Sequence, residues 1–235
     1  MGNSHFRFKK FTINQDRSVF KVGTDGVILG AAADICGTSE ILDIGAGTGL
    51  ISIMLAQRSN ANITAIEPDT ESFSQLSENV TGSPWNDRIS ILNTTLQEFK
   101  TGKKFDLIVS NPPYFISSLK SPDPRKNAAR HWDLLPHSDL VKCVCLLLSP
   151  GGKFQVIMPR NEGQKLVAEA LSHLLFLNSV LNIKPGPSSE VKRILLTFSF
   201  HKTDVLENNL IIEAGERHKY SEDYINLTKD FYLKF

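Results

Sequence analysis

The stretch ILDIGAGTGL, residues 41–50, decides the fold. Ile41 to Ile44 is a short apolar run that reads as a buried strand, and Leu50, Ile53, Met54 and Ala56 begin a helical pattern. Between them stand Gly45, Gly47 and Gly49. Glycines at a strand-to-helix turn let a ligand approach the backbone, and the start of the helix offers free N–H donors. A dinucleotide fingerprint requires G-x-G-x-x-G. Counted from Gly45 its third glycine falls on Leu50, and counted from Gly47 it falls on Ser52, so the spacing here is G-x-G-x-G.

Two carboxylates bracket this turn. Asp43 precedes it, and Glu67 ends the next strand-like run, Ile63 to Ile66. A carboxylate at the end of that strand accepts both hydrogen bonds of a ribose diol. Asp43 suits a cationic group. A ligand with a ribose and a cation but no pyrophosphate fits the pair, and S-adenosylmethionine is such a ligand.

Outward from the turn, strand-like and helix-like segments alternate. Ser72 to Val80 reads as a helix with Phe73, Leu76 and Val80 on one face. Ile89 to Leu92 and Phe105 to Val109 read as strands, Ser138 to Leu148 as a helix, Phe154 to Met158 as a strand, and Asn161 to His173 as a helix. Such alternation predicts an α/β fold with a parallel sheet covered on both faces. The end of the chain changes character. Leu174 to Ile183 and Arg193 to Phe200 flank the turn-rich KPGPSS, predicting an antiparallel hairpin at the sheet edge. Asn209 to Ile212 is a short strand candidate and Glu222 to Asp230 a closing helix, with Phe231 and Tyr232 as its core anchors. The chain reads as one domain: an arm and helix over 1–34, a core over 35–200 and an extension over 201–235.

The strand Phe105 to Val109 runs straight into Asn111-Pro112-Pro113-Tyr114. Two prolines cannot continue a strand. An amide and an aromatic ring are therefore left at the strand's carboxyl end, where open α/β sheets keep their ligands. The segment 115–135 that follows has no clear periodicity, and loops of that length are usually functional or disordered.

Composition bounds the rest. Apolar residues make up 41% and charged residues 22% of 235 positions, a globular balance. No apolar run approaches the ~18 residues of a membrane helix. The amino terminus carries no secretory signal and fits a myristoylation pattern poorly. Cys36, Cys143 and Cys145 lack metal-ligand spacing and read as small buried hydrophobes in a reducing, cytoplasmic setting. Net charge is +1, but residues 34–99 hold nine acids against two bases. Positive charge gathers over 1–21 and 102–130. Basic clusters beside a site attract polyanions.

LDIGAGTGL, AIEPD and NPPY, in this order and spacing, resemble class I S-adenosylmethionine-dependent methyltransferases. NPPY is similar to the fourth motif of enzymes that methylate exocyclic amino or amide nitrogens. The resemblance implies a Rossmann-like seven-stranded, mostly parallel sheet with an antiparallel final hairpin. Three groups share the fourth motif. Release-factor glutamine methyltransferases carry a sizeable helical domain before the glycine turn, and only 40 residues stand there. Ribosomal guanine-N2 enzymes show Phe and then His after the prolines, against Tyr114 and Phe115. DNA adenine enzymes add a recognition domain for which little chain remains.

The flanking blocks FKVGTDGVILGAAA (20–33), ARHWDLL (129–135), KRILLTFSF (192–200) and TKDFYLKF (228–235) resemble the bacterial tRNA1(Val) (adenine(37)-N6)-methyltransferase family. This implies methyl transfer from S-adenosylmethionine to an adenine beside the anticodon of a valine tRNA, in the cytoplasm, by a protein expected to be monomeric. It implies that Thr24 and Asp25 lie near the methionyl group, that Asp43, Gly45, Gly47, Gly49, Glu67 and Asn111 bind cofactor, and that Asn111, Pro112 and Tyr114 hold the base. Where the class often has an adenine-binding Asp after the third strand, this chain has Thr95, a weaker acceptor. In the loop, Arg125, Lys126 and Arg130 are expected on phosphates, with Lys9, Lys10 and Arg193 extending the tRNA surface; His131 stays open between a structural and a contact role. Two other readings stand beside this one: glutamine-N5 or guanine-N2 methylation, and an RNA-binding module that keeps the fold without turnover.

Overall fold

The computed structural model describes residues 3–18, 21–112 and 135–234. One sheet organises them. In chain order its strands are β3 (Glu40–Ile44), β4 (Asn62–Ile66), β5 (Ile89–Leu92), β6 (Phe105–Ser110), β7 (Leu148–Pro159), β8 (Phe176–Lys184), β9 (Arg193–Ser199) and β10 (Leu206–Ile211). A separate hairpin, β1 (His5–Arg7) and β2 (Thr12–Asn14), precedes them. In space the order across the sheet is β5-β4-β3-β6-β7-β9-β8-β10. The first five of these run parallel; β9 is antiparallel to both β7 and β8, which is the expected final hairpin.

The sheet has eight strands rather than the expected seven. The additional strand, β10, which takes in most of the candidate at Asn209 to Ile212 and begins three residues earlier, lies at the edge, parallel to β8. Its sequence LENNLI buries only Leu210, so it lacks the alternation by which strands are read. It is held by backbone pairing to the open side of β8, which no local pattern encodes.

The helices are α1 (Thr24–Ala32), α2 (Leu50–Arg58), α3 (Thr70–Thr81), α4 (His137–Leu147), α5 (Arg160–Ser172) and α6 (Glu222–Thr228). They cover both faces. Successive strand residues point to opposite sides, and β3 divides its side chains accordingly. Ile41 joins the core beneath α1, α2, α3 and α6, whereas Leu42 and Ile44 join the core beneath α4 and α5. With both faces covered, the central strands are apolar throughout. Among the described residues no helix is long and apolar enough to cross a membrane.

The hairpin is a second departure from the sequence reading, which left the arm without strands. Three-residue strands are too short to show a period, and an isolated hairpin is marginal at best. Here aromatic packing supports it: Phe8 stacks on Phe11 at 4.6 Å between ring centroids, and Tyr232 lies 5.8 Å from Phe8. Phe231 is buried beside them, so the chain's two ends close over one another. The cysteines also differ from expectation. Cys36 is exposed, and Cys143 and Cys145 are half-buried.

Candidate functional site

The site lies where the parallel strands end. At the end of β3, Gly45, Gly47 and Gly49 adopt φ of +70°, +57° and +83°. The first two and the third serve different ends. A Cβ at Gly45 or Gly47 would meet no atom within 4 Å, so both border open space. A Cβ at Gly49 would lie 2.6 Å from Leu76 Cδ1. Gly49 is bare so that α2 can pack on α3.

The turn is held in shape by its neighbours. The N–H groups of Gly45 and Ala46 both donate to the Ile66 carbonyl at 3.0 Å. Gly47 N–H donates to Glu67 Oε2 at 2.8 Å, and Asp69 N–H donates to Glu67 Oε1 at 3.0 Å. Glu67, buried, is thus oriented by the backbone through both carboxylate oxygens. Asn93 Nδ2 donates to the Glu67 carbonyl at 2.8 Å, and the buried Asn79 donates to the Thr48 carbonyl at 2.8 Å. Asn79 also exchanges hydrogen bonds with the backbone of Asn14, tying the arm to the turn.

Asp43 is fully buried. Its Oδ2 accepts from the Ser52 hydroxyl at 2.6 Å, but Oδ1 has no hydrogen-bond partner. Burial pushes its carboxyl pKa up to about 6, against the opposing pull of the Ser52 hydrogen bonds. An orphaned buried acceptor is costly unless something comes to it. A cationic ligand group is the partner whose arrival would relieve that cost.

Asn111 and Pro112, both half-buried, follow β6 one strand away from β3. Ser110, just before them, donates to the Ile44 carbonyl at 3.1 Å and locks the two strand ends together. Across from Asn111 lies α1. A methyl group placed on Gly26 would sit 3.2 Å from Leu50 Cδ2 and 3.8 Å from Asn111 Nδ2. Thr24, exposed, and Asp25, half-buried, form the first turn of α1 at this same end. A cleft runs from the glycine turn to Pro112, lined by Ile44, Gly45, Ile66, Pro68, Thr95, Leu96 and Leu135 among others.

Thr95 borders that cleft, but its hydroxyl is engaged. It donates to Glu98 Oε2 at 2.9 Å and accepts from the Glu98 N–H at 3.2 Å. Arg193 is also committed: its Nε donates to Asp25 Oδ2 at 2.7 Å. The sequence reading assigned these two to separate surfaces, and the fold joins them at the carboxyl end of the sheet. Lys9 and Lys10 go the other way. Lys9 Nζ donates to the Lys229 carbonyl at 2.5 Å and its N–H donates to the Phe231 carbonyl at 2.8 Å. The neighbouring Asp230 carbonyl accepts from Gln57, at the finish of α2, and α2 finishes at the amino end of the strands. Both lysines, exposed on the hairpin turn, therefore lie at the end opposite Asn111. Pro113, Tyr114, Arg125, Lys126, Arg130 and His131 lie outside the described residues.

Ser52, Asn79, Asn93 and Ser110 are the site residues that sequence reasoning missed. Ser52 alone left a signal, a hydroxyl in the first turn of the helix that begins at the glycines. The others work through contacts with distant backbone and leave none.

The residues present fit S-adenosylmethionine: open space over Gly45 and Gly47, an oriented carboxylate at Glu67, and an unpartnered buried oxygen at Asp43. The family model described as "Methyltransferase small domain" matches residues 27–174. A protein of Phocaeicola vulgatus is 47% identical over 233 residues, covering 99% of both chains, and is named tRNA1(Val) (adenine(37)-N6)-methyltransferase. A protein of the same name from Bacteroides thetaiotaomicron is 43% identical over 235 residues, again 99% of both chains. Among solved structures, one described as a predicted O-methyltransferase from Agrobacterium tumefaciens aligns with a TM-score of 0.67 at 17% identity, covering 88% of this chain and 96% of that one. The glycopeptide N-methyltransferase MtfA, complexed with S-adenosyl-L-methionine, aligns at 0.57 and 15%, covering 77% and 96%. At such identities these structures speak for the fold alone.

Proposed function

The chain belongs to the methyltransferase small domain family and to the tRNA1(Val) (adenine(37)-N6)-methyltransferases, and from that premise we propose that it methylates N6 of adenine 37 in tRNA1(Val). One observation carries the reading: the amide of Asn111, the open glycine turn and the orphaned oxygen of Asp43 converge on the same end of adjacent strands.

S-adenosylmethionine, when bound, supplies an electrophilic methyl group on a sulfonium. Gly45 and Gly47 would leave room for it, Glu67 would hold the ribose and Asp43 would meet the cationic portion. The chain's remaining task is to prepare the nucleophile. An adenine amino group is poorly nucleophilic because its lone pair is delocalised into the ring. The side-chain oxygen of Asn111 and the carbonyl of Pro112 accept hydrogen bonds from the two amino protons. Those bonds favour a pyramidal nitrogen whose lone pair is free to attack. They also stabilise the positive charge that develops as the new bond forms, and acceptors positioned beforehand need no reorganisation. The proline stiffens the loop so that the geometry is set in advance. Tyr114 offers the stacking face for a base extruded from its neighbours. The methylated amine is acidic and loses its proton to water, so no general base is required.

The phosphates beside the target are assigned to Arg125, Lys126 and Arg130, close in sequence to the acceptor motif. Incubation with labelled cofactor and unmodified tRNA1(Val), followed by nuclease digestion and mass spectrometry, tests the reading. N6-methyladenine in the anticodon loop is expected. Label in protein, or on a guanine, would move the assignment to a glutamine-N5 or guanine-N2 enzyme. Binding of tRNA without any transfer would leave an RNA-binding module.

A further inference from the structure

We propose that Arg193 is a positioning residue of the transfer site, holding the first turn of α1 against Asn111 through its ion pair with Asp25. The inference rests on the function proposed above. Arg193 stands at the first residue of β9, in register with Pro159 at the carboxyl end of β7. From there its Nε reaches Asp25 Oδ2 at 2.7 Å, with the two side chains 35% and 26% exposed. The contact spans 168 residues of sequence and joins the sheet's late hairpin to its first covering helix.

What it holds in place is the wall of the acceptor pocket. α1 starts at Gly23 with no side chain capping its first N–H groups. Asp25 is the acidic residue of that first turn, where negative charge also suits the helix dipole. The next residue, the buried Gly26, packs so closely that a methyl group there would touch both Leu50 and the Asn111 amide. Glycine at this position relieves crowding against Leu50, while a methyl group would meet Asn111 Nδ2 only at an ordinary 3.8 Å. The first turn of α1 thus borders the amide, and its drift changes the surface against which Asn111 stands. Displacements of about 1 Å in a catalytic constellation cost on the order of a hundredfold in rate. A partly exposed ion pair adds little to global stability, so its value lies in where it holds the helix.

The competing role for Arg193 is a phosphate contact. The two are separated by Arg193→Gln, Asp25→Asn, the double variant and Arg193→Lys, in the full chain. The side-chain amide resonances of Asn111, followed by NMR in the cofactor-free protein, should move alike in both single variants. With tRNA1(Val), each single variant should lose roughly tenfold in kcat with KM for tRNA unchanged. The double variant should be no worse than either single, because residues in one network are not additive. Arg193→Lys should recover part of the loss. The slope of tRNA affinity against salt should stay at the wild-type value in all four.

If Arg193→Gln instead lowers that slope by about one, while Asp25→Asn leaves it alone, Arg193 is a phosphate contact and the proposal fails. Additive losses, or unmoved Asn111 resonances, overturn it as well. Wild-type protein that does not methylate the tRNA sinks the proposed function instead, and the resonances then still decide the role of Arg193.

Discussion

The two ends of the sheet are built on opposite terms. At the amino end, several cationic and amide side chains near the helix termini find partners. Arg88 donates to the carbonyls of Ala56, Ser59 and Ala61, closing the last turn of α2. Arg58 donates to the Gly30 carbonyl. Lys153 pairs with Asp34 at 2.5 Å, and Gln155 accepts from the Asp34 N–H while donating to Thr197. At the carboxyl end the chain spends some of that security. Asp43 keeps one oxygen without a partner, and the glycine turn beside it holds Gly45, Gly47 and Gly49 at positive φ, the first two facing open space. Buried atoms without a partner occur at both ends, since Gln57 Oε1 and Asn178 Oδ1 lie toward the amino end, but Asp43 is the carboxylate among them and stands beside the open glycine turn.

The contrast is open to attack, and Asn111→Ala strikes hardest. Removal of one preorganised acceptor should lower kcat by roughly 10²–10³-fold. Binding of S-adenosylhomocysteine, measured by calorimetry, should change by only a few fold. A variant with full turnover would show that the amide has no part in transfer.

Gly49→Ala against Gly47→Ala divides the turn itself. At Gly49 the added Cβ meets Leu76 and the left-handed backbone at once, so unfolding should become easier by about 3 kcal/mol. At Gly47 only the backbone term applies, about 1–2 kcal/mol. Cofactor affinity should fall more in Gly47→Ala, because that methyl group projects into open space. Equal thermal melts for the two variants would contradict the division of labour.

Asp43 gives a pH test. Its folded pKa of about 6 lies above the ordinary value near 3.8, so the folded state binds the proton more tightly than the unfolded one. Stability contributed by the protonated carboxyl is therefore fully present below pH ~4 and lost as pH rises through ~6, up to about 3 kcal/mol. Asp43→Asn should remove that slope from the cofactor-free protein and weaken cofactor binding above pH 6. Chemical denaturation across pH 4–7 is the measurement, and identical slopes in the two proteins would rule out the buried carboxyl as their source.

Arg88→Ala should have the smallest effect on turnover, and a purely structural one. It leaves three carbonyls to find water at a partly buried surface, at a cost of about 2 kcal/mol. Turnover at a temperature where the protein remains folded should not change. A fall in kcat there would erase the distinction between the two ends.

Much of the site was legible because its chemistry is local. The strand Ile41 to Ile44, the three glycines and the start of α2 follow one another in the chain and meet in space in the same order. Glu67 and Asn111 were placed for the same reason, since each directly follows a strand that the sequence shows. The Ile89 to Leu92 strand came out with the same bounds, while α4 ends one residue before the expected Leu148. What escaped was too short to carry a period, as with β1 and β2, and of β10 only the part within Asn209 to Ile212 was read, because its first half carries an edge pattern. Gly49 was grouped with its neighbours by spacing, and only the position of Leu76 separates it from them.

By itself the sequence determined the strand-turn-helix with its three glycines and two flanking carboxylates, and the amide and proline at the end of a neighbouring strand. Backbone freedom and side-chain chemistry within a few residues are enough to specify both. Tertiary structure alone decided that Arg193 answers Asp25, that Asn79 braces the glycine turn, and that Lys9 and Lys10 turn away from Asn111. Charges and amides carry no label for their partners. Which ones meet is set by the order in which strands pair across the sheet, and that order depends on contacts made far along the chain.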